Sequence, residues 1–356
     1  YHAEGTYQIP RNRAEAEARA ERPDEVLLMA VSIEGAHIFG GGAVSNTEAL
    51  ARVDYIKQNW EYPLFFITFS HHFFNHLCGH AHSLPDIARF LLNQDQGMHE
   101  GFTPLGWQVI RQLLALDANN QRQPALGYRI LIDIKHMSPL GRQEWYTQIV
   151  RPCLAQGDAI PIIASHCGYA ARKTLDEFIA HEAEEEDGVR IQTEDGTFNA
   201  WGINLCDEDI HLIYETGGLI GLSFDKRIMG VAGTKREERQ EQANNIAALW
   251  NNVKAMLRVI YERDDLEAVQ KRRAWHCLAI GTDFDGYIDP ISAYKTAIEL
   301  ADFKRDLLAQ IEGAAAQPNP APFVADFDAE FTPAYVVDQL CYGNARDFTL
   351  KHYPVR

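Results

Sequence analysis

Two histidines occupy matching places in the chain. "LIDIKHMS" sets His136 just past an apolar run, and "IIASHCGYAAR" does the same with His166. A third run, "AVSIEGAHIFGGG", carries Glu34 at the same point. One histidine after a strand is an ordinary hydrogen-bonded residue. Two in equivalent positions, with a carboxylate in a third, form a pattern. Two imidazoles and a carboxylate are a zinc-type donor set, and three protein ligands leave a place open for water. The order His, His and Glu at separate strand ends also suits a carboxylate shared by two ions. An ionised Glu34 after a mostly apolar stretch is costly unless it is paired or binds metal. The glycines after it allow a tight turn and the close approach of a ligand.

"AIGTDFDG" holds Asp283 and Asp285. Asp283 directly follows a strand, where a carboxylate can move a proton from water to a leaving amine. Asp285, before Gly286, reads as a turn residue. "FITFSHHFFNHLCGHAH" packs His71, His72, His76, His80 and His82 into one segment. His72, His76 and His80 lie four apart and would stripe one side of a helix. One functional residue is expected here, His71 or His72, donating to a developing oxyanion. His37 is expected at the mouth of the site. Around Cys167 the chain lacks the Gly-x-Ser-x-Gly elbow of a hydrolase nucleophile, so this thiol reads as buried.

Six apolar runs must position these groups: 25–34, 63–70, 128–134, 159–165, 217–224 and 275–283. They are apolar at nearly every position, as in strands buried on both faces of a parallel sheet. Between them lie helical patterns. "TPLGWQVIRQLLALD" begins with Thr103 as N-cap and Pro104 behind it, and "SPLGRQEWYTQIV" repeats the device with Ser138. "DEDIHLIYETGG" runs from an Asp207 cap to a glycine stop, and "NNIAALWNNVKAMLRVIYER" is a long amphipathic stretch. Alternating strands and helices imply an α/β fold. Chemistry at strand after strand favours a closed TIM-type (β/α)8 barrel, whose catalytic groups gather at the C-terminal rim. No GxGxxG supports a dinucleotide fold. Six strands fall short of eight. One domain over 1–356 is expected, with inserts near 181–202, acidic and read as solvated surface, and near 312–331, Ala- and Pro-rich and read as a loop.

The chain has 356 residues and a formal net charge of −17, which argues against nucleic acid as a partner. No apolar run reaches the length of a membrane span. Six scattered cysteines without a CxxC pair read as buried thiols in a reducing, cytoplasmic compartment; a removed signal segment would permit a periplasmic or secreted protein.

Taken together, "AVSIEGAH", "FITFSHHFFN", "GFTPLGWQVIRQL", "RILIDIKHMS", "PIIASHCGY", "AIGTDFDG" and "YGNARDF" resemble the membrane dipeptidase (renal dipeptidase) family of zinc peptidases. The pieces fall in the family's order from about 26 to 350. The resemblance implies a (β/α)8 barrel that cleaves dipeptides with a zinc-activated water, often as a homodimer. It assigns Glu34 to the carboxylate bridging two zinc ions and His136 and His166 to one metal site. Asp283 becomes the acid–base group. His71 becomes the histidine at the tetrahedral intermediate, with His72 as the alternative in substrate contact. Arg172 stands near the arginine that grips the substrate carboxylate, though closer to the metal histidine than in the family.

The family opens with a strand ending in His-x-Asp or His-x-His, which holds the first zinc. His2 and Glu4 have that spacing, but no apolar run precedes them, and they read as surface residues. A first strand carrying two further ligands is expected to be missing from the sequence, which leaves one or two divalent ions. Alternative readings are a barrel amidohydrolase acting on another amide, lactone or ester, and a family member that is catalytically inactive.

Overall fold

All six apolar runs overlap a strand shorter than the run, and only Ile163–Cys167 extends past its run. In the computed structural model the described residues are 7–21, 27–84, 92–181, 189–231 and 242–355. His2 and Glu4 lie outside them. The chain forms two compact units, residues 1–162 with 346–356, and residues 163–345.

The first unit carries β1 (Val31–Glu34), α1 (Asn46–Asn59), β2 (Leu64–Thr68), α2 (Pro104–Leu114), β3 (Leu131–Asp133) and α3 (Pro139–Trp145). The strands pair in parallel in the order β1-β2-β3. β3 is buried throughout and β2 at four of its five positions, as a continuous apolar run predicts. β1 departs from this: it alternates between half-buried and exposed positions. Leu27 and Leu28, from the same apolar run, pair instead with Tyr7 and Gln8. Both predicted caps are present. The Thr103 hydroxyl accepts from the Gly106 amide at 3.0 Å, and that of Ser138 from the Gly141 amide at 2.9 Å. The segment 69–84 holds no helix, so the histidine stripe is not formed, and His76 has a left-handed φ of 59°.

The end of the chain completes this unit. The Arg13 amide donates to the Pro354 carbonyl at 3.0 Å, and the Tyr353 hydroxyl to that of Pro10 at 2.9 Å. Tyr353 stacks on Phe65 of β2, with ring centroids 5.7 Å apart.

The second unit carries β4 (Ile163–Cys167), α4 (Asp207–Thr216), β5 (Leu219–Leu222), α5 (Gln242–Tyr261), β6 (Leu278–Ile280) and α6 (Leu300–Ala315). Its strands are parallel in the order β4-β5-β6. α5 buries Ile246, Leu249, Trp250, Val253, Leu257 and Ile260, the spacing of one helical face. α4 starts one residue earlier than expected: Cys206 is its N-cap, and its amide donates to Asp209 at 3.0 Å. The segment 312–331 is not all loop, since α6 runs to Ala315 and a helical turn spans Pro322–Ala325. Within 181–202, residues 182–188 lie outside the described set. The remainder forms a hairpin, Arg190–Gln192 with Thr197–Asn199. There Asp195 is buried rather than solvated, held by Arg258 at 2.7 and 2.8 Å. All six cysteines are free thiols. Among the described residues no helix is long and apolar enough to cross a membrane.

His352, in the closing helix, gives a pH prediction. Its Nε2 is buried without a hydrogen-bond partner among the described residues. Burial, then Lys351 and Arg13, pull its pKa down to about 4. The unfolded chain takes up this proton as pH falls through ~6.5, and the folded chain only near 4. Stability is therefore lost across that window, by up to about 3 kcal/mol. Urea titrations at several pH values are expected to show this slope, and His352→Leu to flatten it.

Candidate active site

In the first unit, Glu34, Thr68 and Asp133 sit opposite one another at the ends of three strands. The buried Thr68 hydroxyl donates to Asp133 at 2.6 Å, and the other Asp133 oxygen accepts from the Lys135 amide at 3.0 Å. These bonds fix the turn out of β3. His136 follows in a left-handed conformation, φ 65°, which is uncommon for a residue with a Cβ. Two residues later the Ser138 cap begins α3. His136 is thus clamped between a strand end and a helix start, and it is 5% exposed.

Glu34 Oε1 lies 3.6 Å from His136 Nε2 and 3.7 Å from His71 Nε2. His71, His72 and His136 form a ring cluster, with centroids 4.0 Å apart for the first two and 4.8 Å from each to His136. A ligand atom from each of these histidines lies within 4.8 Å of the others, close enough to hold a metal ion. The distances from Glu34 are long for hydrogen bonds. They match the roughly 3.5 Å between two ligands on one tetrahedral zinc with bonds of about 2.0–2.2 Å. Burial, then the neighbouring His37, His80 and Lys135, hold the His71 pKa down at about 4. A neutral imidazole keeps the lone pair that a metal needs. The donor set and the spacing therefore fit a divalent ion.

His72 is oriented by residues the sequence did not flag. Its Nδ1 is 2.7 Å from the Ser83 hydroxyl, which accepts from Gln94 Nε2 at 3.0 Å. Gln94 also donates to the His72 carbonyl at 2.6 Å. The adjacent pair "HH" signals the cluster, whereas Ser83 and Gln94 follow too far along the chain to be read as its support. Gly35 has φ 103°, and a Cβ there would sit 2.4 Å from His37 Nδ1 and 3.4 Å from His71 Cβ. His37 therefore packs against the bend after Glu34, in line with its expected place beside the site.

The second unit gathers His166 and Asp283. The β4–β5 register shifts between Ala164 and Cys167, and this irregularity carries His166. Gly221 and Gly281 flank it: a Cβ on either would come within about 2 Å of the Ser165 carbonyl oxygen, 2.0 and 1.9 Å respectively. The Ser165 hydroxyl is 2.7 Å from His166 Nδ1, and His166 Nε2 is 3.8 Å from Asp283 Oδ2. Asp283, like His136, is left-handed just after a strand, φ 58°. The turn before Gly286 is closed by the Asp283 carbonyl, which accepts the Gly286 amide at 3.1 Å. Asp285, at φ 66°, is a central residue of that turn, as its place before Gly286 suggests. Arg172 lies in the loop after His166, its guanidinium 5.6 Å from the Phe178 ring centroid.

No known family pattern matches the chain, and no curated protein matches it. Solved structures do. Dipeptidase AC, a metallopeptidase of family M19, aligns over 98% of this chain and 72% of its own, with a TM-score of 0.56 at 16% identity. A metallopeptidase from Rhodobacter sphaeroides, solved with a phosphinate mimic of the dipeptide L-Ala-D-Ala, aligns over 98% and 69%, with a TM-score of 0.52 at 16% identity. An amidohydrolase from Pseudomonas aeruginosa aligns over 98% and 79%, with a TM-score of 0.52 at 13% identity. The chain shares the fold of these proteins along nearly its whole length.

Gly35→Ala is expected to strain the backbone and displace His37, destabilising the protein by about 1–3 kcal/mol. Chemical denaturation measures that loss. The same variant should bind zinc more weakly in a chelator competition.

Proposed function

We propose that this protein is a metal-dependent hydrolase of the dipeptidase type, cleaving the amide bond of dipeptides. The observation that carries the reading is the Glu34 carboxylate standing 3.6 and 3.7 Å from two imidazole nitrogens at the C-terminal ends of parallel strands. The shared fold with a dipeptidase and with a peptidase solved with a dipeptide mimic supports it.

Zinc suits the donor set, and when bound it supplies Lewis acidity and a nucleophilic water at neutral pH. Glu34 and His136 would hold it, with His71 beside them. The family resemblance enlists His166 as a further ligand and Asp283 as the acid–base group. Asp283 would take the proton from the attacking water and deliver it to the leaving amine nitrogen. A histidine N–H would stabilise the oxyanion. His71 was the expected donor, with His72 as the alternative; the reading takes the Ser83 hydroxyl as donor to His72 Nδ1, so that His72 Nε2–H would serve the oxyanion and the His71 lone pair is left for metal. Arg172 would bind the substrate carboxylate as a cation.

A second reading, cleavage of another amide or a lactone, draws on the amidohydrolase of similar fold. A panel of dipeptides, N-acyl amino acids and lactones separates the two. Turnover confined to the last two classes would overturn the dipeptidase assignment. Glu34→Gln and His136→Ala are each expected to lower metal content and to reduce kcat/KM by 100-fold or more, about 3 kcal/mol of transition-state stabilisation. Elemental analysis beside the assay checks both. Full metal content with full rate in either variant refutes the ligand assignment.

A further inference from the structure

A histidine in a cluster such as His71, His72 and His136 can serve it in two ways. A ring with a bare Nε2 can ligate a metal ion, whereas a ring protonated there donates a hydrogen bond and cannot ligate through that nitrogen. A neutral ring holds one proton, so the state of Nδ1 decides between the two. Ligating histidines commonly donate their other N–H to an oxygen. His72 Nδ1 has an oxygen beside it, the Ser83 hydroxyl at 2.7 Å. That distance alone leaves the direction of the bond open.

Gln94 fixes the direction. Its side chain is 1% exposed, and its Oε1 accepts the amides of Ser83 and Leu84 at 3.3 and 3.0 Å. Backbone amides only donate, so this end must be the carbonyl and the other the NH2. The NH2 donates to the His72 carbonyl at 2.6 Å and to the Ser83 hydroxyl at 3.0 Å. The Ser83 oxygen, in a residue 7% exposed, thus already receives a proton from Gln94. If His72 Nδ1 donated to it as well, the hydroxyl proton would have no acceptor among the described residues. A buried donor left in that state is costly. With the hydroxyl donating to a bare Nδ1, every proton along Gln94, Ser83 and His72 meets a lone pair.

We propose that Gln94 and Ser83 are positioning residues that hold His72 in the tautomer protonated on Nε2, making it a hydrogen-bond donor at the site and keeping it out of the metal's coordination shell. The use of that proton on an oxyanion rests on the hydrolase reading. Its place on Nε2 rests on the hydrogen bonds of Gln94 and Ser83. Two adjacent histidines then divide the work: His71 offers a lone pair and His72 a proton. The cluster of three imidazoles therefore supplies two ligands, not three.

The test is nitrogen NMR of the full chain in the presence of zinc, with 15N-labelled histidine, at about pH 8, where an ordinary imidazole is neutral. His72 is assigned by its loss in His72→Gln. The unaltered protein is expected to show a protonated Nε2 and a bare Nδ1 displaced by an accepted hydrogen bond. Ser83→Ala should move that Nδ1 resonance to the position of a bare nitrogen without a donor. A proton on Nδ1 in the unaltered protein, or an Nδ1 resonance that stays put in Ser83→Ala, overturns the proposal. Zinc content reads the second half. Ser83→Ala and His72→Gln should both keep the zinc content of the unaltered protein, and loss of zinc in either makes His72 a ligand and overturns the assignment. Ser83→Ala should lower kcat roughly 10-fold with KM within about two-fold, part of the ~100-fold that a lost oxyanion donor costs. Unchanged kcat in that variant overturns the positioning role. The NMR result needs no turnover, so it decides the tautomer even if no dipeptide is cleaved. A proton on Nδ1 leaves the hydrolase reading standing, with His71 as the oxyanion donor.

Discussion

Parallel pairing places Glu34, Thr68 and Asp133 opposite one another, and the candidate site depends on that row. Strands packed against apolar neighbours cannot carry ionisable side chains along their length without a large desolvation cost. The ionisable groups therefore collect where the strands stop. There the two carboxylates in the row meet different fates. Asp133 is fully buried and satisfied by Thr68 and the Lys135 amide, so it shapes the backbone. Glu34, with a side chain 41% exposed, faces two imidazoles. Burial and hydrogen bonding separate a structural acid from a candidate ligand of the same charge.

The two units use one device to aim a candidate side chain. In each, the chain leaves a parallel strand and passes through a left-handed residue, His136 in the first and Asp283 in the second. Such a conformation reverses the direction of the side chain within a single residue, at a cost that surrounding contacts must meet. Around His136 those contacts are the Asp133 turn and the Ser138 cap. Around Asp283 they include its own carbonyl bond to Gly286. His72 and His166 are steadied differently, each with a serine hydroxyl 2.7 Å from its Nδ1.

The strands and caps were legible because they rest on local signals. Continuous apolar runs marked the strands β1 to β6, though not the short parallel strand Tyr7–Gln8, and Thr-Pro and Ser-Pro marked two helix starts to the residue. Glu34, His71, His72 and His136 were singled out because each stands at or just past the end of an apolar run, although β1 is only half-buried. Ser83, Gln94 and Ser165 were not, because a hydroxyl or amide that orients an imidazole looks like any other polar residue until the chain has folded. The histidine stripe failed for a related reason. A spacing of four has meaning only on a helix, and segment 69–84 is held instead by loop bonds such as Asn75 to the Phe69 carbonyl, 2.6 Å. The Ala-rich stretch after 312 was read from its prolines, yet α6 runs to Ala315, as the strong helix propensity of alanine favours.

The first unit is discontinuous: its sheet is built from residues before 163, but Tyr353 packs on β2 and bonds to Pro10. A protein emerging from the ribosome presents its early strands long before residues 346–355 exist. Phe65, fully formed as part of β2, must wait for most of the chain to be made before the aromatic ring that covers it arrives. The second unit has no such debt to later sequence, and its own strands can pair as soon as they emerge. The order of synthesis and the order of completion are thus reversed. The half of the molecule translated first is the half that finishes last, and its apolar surface is the one a chaperone would find open during synthesis.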